Sequence, residues 1–139
     1  MTNMKFNKLI PELSVSNLKK SLEFYQKILG FKLEYQREES KFAFLSLQES
    51  QIMIQEINDN WNVGKLEYPF GRGVNFSIEV NNVSEIVERL QKNNYPIKIP
   101  PKENWYRKDK KLLGSKEFLV MDPDGYLLRF SQDIGERNL

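Results

Sequence analysis

Any chemistry in this sequence has to proceed without the two side chains that most often carry it. The 139 residues include no histidine and no cysteine. That removes the imidazole base, the Ser-His-Asp triad, the thiolate nucleophile and thiolate-held metals. Acid–base work would fall to carboxylates, Lys, Tyr or water. Two groupings remain. The stretch "PPKENWYRKDKKLLGSK" sets Trp105 and Tyr106 among Lys102, Arg107, Lys108, Lys110 and Lys111, with Glu103 and Asp109 as the only acids before Glu117. As a loop, it could stack its aromatics and cations on a flat ligand, or its Trp could simply pack on a sheet. Trp61, in "NDNWNVGKLEYPFGRG", has the same two readings. Further on, Arg129 alternates with Leu127 and Ser131 on one face of a strand, and Leu128 and Phe130 take the other. Just before it, Asp122-Pro123-Asp124-Gly125 has the residues of a type I turn and too few oxygens for a calcium loop.

The elements that hold these residues occur twice. Leu18, Leu22, Tyr25 and Ile28/Leu29 recur with helical spacing after Asn17, a candidate N-cap, and stop at Gly30. Val83, Ile86, Val87 and Leu90 do the same after Asn82, with Glu85 three residues on. Strand-like "LIPELSV" and "VNFSIEV" precede the two helices. The extended segments "FKLEYQ", "KFAFLSL" and "QIMIQEI" follow the first, and "YPIKIP", "SKEFLVM" and "YLLRFSQ" the second. Superposing Asn17 on Asn82 also places Val15 on Val80 and Leu22 on Val87, which predicts a duplicated βαβββ unit.

Composition bounds the rest. Hydrophobic residues at 40% and charged residues at 29% are ordinary for one globular domain, and a net charge of +2 is too small to argue for nucleic acid. No apolar run is long enough to span a membrane, and "MTNMKFNKLIPEL" has no signal-peptide character. The expectation is a cytoplasmic protein with no nucleic-acid or membrane partner.

"IPELSVSNLKKSLEFYQKILGFKLEY" resembles the opening of vicinal oxygen chelate (glyoxalase/bleomycin resistance/dioxygenase) modules, and "GSKEFLVMDPDGYLLRF" resembles their closing strands with a DPDG turn. The resemblance implies an α+β fold: two tandem βαβββ modules, about 1–58 and 73–133 joined by loop 59–72, within a single domain 1–139. They would form a curved eight-stranded mixed sheet, a half-barrel completed by dimerisation. Metal-dependent members place His, Gln or Glu on four strands. The matching positions here are Ile10, Met53, Asn75 and Arg129, a set unsuited to a hard divalent ion. In the implied register Arg129 points into the cavity, where it needs an internal carboxylate, Glu12 or Glu79, or an anionic or carbonyl-bearing ligand.

The resemblance is therefore nearest to the metal-free bleomycin resistance type, which it also shares through Pro11 and Phe42. This chain departs from that type in its slight basicity and in Leu113, which stands where a tryptophan is common. The expected function is sequestration of a planar or aromatic ligand, such as an antibiotic, in a crevice of a homodimer. Phe42, Met53, Trp61, Asn75, Trp105, Tyr106, Arg107 and Arg129 would line it, with no catalytic residue, metal or cofactor. The alternative is a glyoxalase-like isomerase or lyase with non-standard metal ligands, so enzymatic activity stays open, leaning against.

Overall fold

The computed structural model describes residues 4–139, which cluster into two compact units divided between Leu66 and Glu67. In the first unit, β1 (Glu12–Val15) leads into α1 (Leu18–Leu22), whose turns widen to a π-helix over Glu23–Ile28. β2 (Lys32–Arg37), β3 (Phe42–Leu47) and β4 (Ser50–Glu56) follow, and the sheet order is β1-β4-β3-β2. The second unit repeats this arrangement. β5 (Asn75–Glu79), α2 (Val83–Lys92), β6 (Ile99–Lys108), β7 (Lys111–Met121) and β8 (Leu127–Asn138) form a sheet ordered β5-β8-β7-β6. In both units the first strand pairs parallel to the last and the remaining pairs are antiparallel. Eight strands are thus hydrogen-bonded as two four-stranded mixed sheets, and β6 overlaps the expected "YPIKIP" only at Ile99 and Pro100.

The duplication extends to the helix starts. Asn17 accepts from the Lys20 N–H at 3.0 Å, and Asn82 accepts from the Ser84 N–H at 2.9 Å. Each helix also gives its first N–H to a side chain from the last strand of its unit: Leu18 to Glu56 at the end of β4 and Val83 to Gln132 within β8, both at 3.0 Å. Four backbone N–H groups at a helix start lack intrahelical partners, so a cap and a strand-borne acceptor together satisfy two of them.

Alternation along the strands separates two faces in each sheet. Leu13, Val15, Leu45, Ile52 and Ile54 pack with Phe24 and Tyr25 of the helix in the first unit. The π-helical turns let consecutive Phe24 and Tyr25 both enter that core, their rings edge to face at 5.0 Å. In the second unit Phe118 and Phe130 stack at 5.3 Å beside Val120, Leu128, Val83 and Leu90. No helix among the described residues is long and apolar enough to cross a membrane.

One expectation needs correction. "PPKENWYRKDKKLLGSK" is not a loop: it is all of β6 after Ile99 and the first part of β7, joined through Asp109 (φ 56°) and Lys110. Its polar residues on both faces hide the period-two signal that marks a half-buried strand.

Candidate functional site

The faces turned away from the helices carry the residues of interest, and each unit has its own. In the first unit, Phe44 pairs with Met53, Phe42 with Gln55, and Glu12 with Met53. Met53 and Phe42 therefore share one face, joined by Glu12. A register shift at Glu34 brings Tyr35 opposite Phe44 and Arg37 opposite Phe42. Tyr35 stacks on Phe44 at 5.3 Å, and Phe6 meets Phe44 edge-on at the same separation. The Arg37 guanidinium lies 4.0 Å from the Phe42 centroid and 5.9 Å from that of Tyr35. Trp61, 66% exposed, donates its indole N–H to Gln55 Oε1 at 2.9 Å, which ties it to the edge of this aromatic floor.

Glu12 is the carboxylate on that floor. Burial pushes its pKa up, and the nearby positive charge of Arg37 pulls it only part of the way back. A carboxyl whose folded-state pKa lies above its unfolded value favours the fold when protonated. That contribution is present at low pH and is lost as the pH rises through the folded value. Glu12→Gln should therefore melt at a higher temperature than the native chain at neutral pH. The two melting temperatures should converge below about pH 4, where both side chains are neutral. Parallel thermal melts across that range give the check.

In the second unit, Ser77 pairs with Arg129 and Leu119 with Arg129 from the other side, so Arg129 sits mid-sheet. It lines a cavity of about 380 Å³ with Ser77, Glu79, Tyr106, Glu117 and Ser131. Asn75, two residues before Ser77 on β5, shares this face by alternation. Glu117, only 8% exposed, is the hub. It accepts from Asn104 Nδ2 at 2.9 Å and from the Tyr106 hydroxyl at 2.5 Å, and Arg129 Nη1 lies 3.6 Å from its other oxygen. The bond to Glu117 holds the Tyr106 hydroxyl above its ordinary pKa, since that bond is lost with the proton.

The partner of Arg129 is thus Glu117, where the sequence suggested Glu12 or Glu79. Glu79, Asp133 and Glu136 add three more carboxylates to the lining, Glu136 being paired with Lys111. Four carboxylates against one guanidinium make this cavity a poor receptor for an anion.

The two remaining candidates face the other way. Trp105 pairs with Gly114, and its ring lies so close over that glycine that an added Cβ would meet it at 2.6 Å. Arg137 covers the ring at 3.7 Å, so Trp105 is packed between side chains of its own sheet. Arg107 alternates with Tyr106 and donates to the Asp109 carbonyl at 3.2 Å. Phe42, Met53 and Trp61 are brought together in the first unit, and Asn75, Tyr106 and Arg129 in the second. Tyr35, Arg37, Phe44 and Glu117 were missed.

A further hollow of about 440 Å³ lies beside α1, lined by Leu18, Leu22, Lys27, Lys41 and Glu56 among others. Its strongest polar groups are spent on each other, Glu56 accepting from the Leu18 N–H at 3.0 Å and from Lys41 Nζ at 3.2 Å.

A divalent metal does not fit the side chains at the four positions the family uses. Ile10 has no donor atom, Met53 offers a thioether, Asn75 one amide oxygen, and Arg129 a cation already held by Glu117. No cluster of three or more His, Cys, Asp or Glu that could hold a metal ion occurs among the described residues.

The profile described as Glyoxalase/Bleomycin resistance protein/Dioxygenase superfamily matches residues 7–130. A bleomycin resistance protein of Geobacillus stearothermophilus is 30% identical over 139 residues, covering 90% of this chain and 96% of that one. A lactoylglutathione lyase of Neisseria meningitidis is 29% identical over 127 residues, covering 86% of each. Among solved structures, TioX from Micromonospora sp. ML1 shares the fold with a TM-score of 0.72 at 17% identity, covering 93% of this chain and all of that one.

Proposed function

Because the chain belongs to the glyoxalase/bleomycin resistance protein/dioxygenase superfamily, we propose that it is a binding protein of the bleomycin resistance type, which sequesters a planar or aromatic small molecule without a metal or a cofactor. The observation that carries this reading is the chemistry of the two sheet faces. One carries Tyr35 and Met53 over the buried rings of Phe42 and Phe44, and the other a Tyr106–Glu117 hydrogen bond with Arg129 ion-paired to Glu117. Buried Phe42 and Phe44 hold the Tyr35 ring in place, so its contact area comes at small entropic cost, and Met53 adapts to an irregular outline. Contacts are assigned to Phe42, Met53 and Trp61 in the first unit and to Asn75, Tyr106 and Arg129 in the second.

The protein acts as a two-fold homodimer with the ligand in a crevice between subunits. Each sheet has two edge strands, and pairing across a symmetric interface covers such edges. Sedimentation at micromolar concentration is expected to give twice the chain mass of 16.5 kDa; a species at the chain mass would contradict the dimer.

The test of function is a titration of glycopeptide and quinone antibiotics and simple aromatic acids, followed by tryptophan fluorescence. At least one compound should quench Trp61 saturably and be recovered chemically unchanged. A panel that leaves the emission untouched, or a ligand returned as a new product, counts against the reading. The second outcome favours the isomerase or lyase class, to which the similarity to lactoylglutathione lyase also points.

A further inference from the structure

Arg37 stands apart from the other cations on the two sheet faces. Its guanidinium is parked over two aromatic rings, 4.0 Å from the Phe42 centroid and 5.9 Å from that of Tyr35. Among the described residues it makes neither a hydrogen bond nor an ion pair. Glu12 is near enough to feel its charge, but burial keeps that carboxyl on the protonation-prone side of its ordinary range. Arg129, by contrast, is engaged by Glu117 within an acid-rich lining. A third guanidinium, Arg137, also lies over a ring, 3.7 Å from the Trp105 centroid, but with Trp105 it belongs to the opposite face. On the faces turned away from the helices, Arg37 keeps its donors unspent, and Arg129 is charge-paired with Glu117 although its buried Nε has no hydrogen-bond partner among the described residues.

A guanidinium has a flat face for rings and an in-plane fork of N–H donors for a carboxylate. Lying over Phe42 and Tyr35 restricts the guanidinium, and its N–H donors stay available at the rim of the aromatic floor. Little side-chain freedom remains to be lost when a carboxylate arrives. Phe42 itself is only 2% exposed, so its ring is not the surface a ligand meets first. The exposed aromatics of this unit's face are Tyr35 and Trp61, the latter bonded to Gln55, which pairs with Phe42.

Resting on the small-molecule reading above, we infer that Arg37 is the specificity-determining residue and that the ligand class is a flat aromatic carrying a carboxylate. The rings of the first unit receive its aromatic part, and the Arg37 fork receives its acid. Arg129 contributes no charge selection, because Glu117 and the further carboxylates Glu79, Asp133 and Glu136 in the same lining outweigh its charge, even though its Nε has no hydrogen-bond partner among the described residues.

The test uses the full chain and three probes of one shape: 2-naphthoate, neutral 2-naphthamide and cationic 2-naphthylmethylammonium, titrated by calorimetry. The native protein should bind the carboxylate at least about tenfold more tightly than the amide, as a charge-assisted hydrogen bond requires. Arg37→Gln should erase that preference, and Arg129→Gln should keep it. Arg37→Lys, which retains charge but not the planar fork, should lose most of it. Arg37 is exposed, so these replacements leave the core intact. A preference that survives in Arg37→Gln, or disappears in Arg129→Gln, overturns the inference. So does tighter binding of the ammonium probe. Equal binding of carboxylate and amide overturns the role of Arg37 but leaves the small-molecule reading standing. No binding of any probe also overturns the inference, and the antibiotic titration then judges the broader reading by itself.

Discussion

Gly125→Ala is expected to destabilise the fold by about 3–5 kcal/mol. Two costs combine at this residue. Its φ of +93° is a conformation that side-chain-bearing L residues rarely adopt. An added Cβ would also stand 2.5 Å from Pro69 Cα, where backbone rather than a flexible side-chain end must move. The turn around it is tightly bonded. Gly125 donates to the Asp122 carbonyl at 2.9 Å, the Asp122 carboxylate accepts from the N–H groups of Asp124 and Tyr126, and Phe70 donates to the Asp124 carbonyl at 2.8 Å. With total stability of order 5–15 kcal/mol for a domain, the loss should be obvious in a urea titration. Gly64→Ala is the control, since nothing lies within 4 Å of its added Cβ and a change within about 0.5 kcal/mol is expected. Equal effects of the two substitutions would mean that the turn tolerates what its geometry forbids.

Glu117→Ala should cost about 2–3 kcal/mol, the second-largest effect. Removing one partner of a buried ion pair commonly costs about 3–5 kcal/mol, because the other charge is left without compensation. The Arg129 side chain remains 36% exposed, so water recovers part of that loss and the figure is reduced accordingly. Asn104 and Tyr106 lose their acceptor as well. Glu117→Gln separates charge from hydrogen bonding: it keeps an acceptor for Tyr106 and loses the charge that faces Arg129. In both variants the Tyr106 hydroxyl should titrate nearer the ordinary tyrosine range, which ultraviolet difference absorbance reads directly. An unchanged tyrosine titration would show that the Tyr106–Glu117 bond is not formed in solution.

The repeated architecture was legible because it is written in local signals. The two caps, Asn17 and Asn82, and the helical spacing behind them fix two equivalent helices, and the strand patterns follow in the same order after each. Arg129 was placed on the right face for the same reason, since a strand with a buried side admits one alternation. What escaped depends on register. A plain alternation from Leu33 sends Tyr35 and Arg37 into the core. The shift at Glu34 turns them to the other face, and Ser46 then donates to Glu34 at 2.7 Å. Nothing in "FKLEYQRE" announces that shift. Glu117 was hidden in the apolar run "SKEFLVM", where its one polar face shows only once Asn104, Tyr106 and Arg129 are set opposite it. The β6–β7 hairpin was missed because its lysines and aromatics have the composition of a loop, and only the cross-strand pairing from Lys102 to Lys108 marks it as sheet.

The central claim is that this chelate-type scaffold works without a chelated metal, since the positions matched to the family's ligands by resemblance hold alkyl, thioether, amide and guanidinium groups. The most direct measurement is elemental analysis of the full chain after incubation with zinc, nickel, manganese and iron(II) and removal of unbound ions by gel filtration. The account predicts metal well below stoichiometric for all four ions. One equivalent of any of them, retained per chain and lost on replacing Asn75 or Glu12, would contradict it and return the protein to the metal-dependent enzymes of its family.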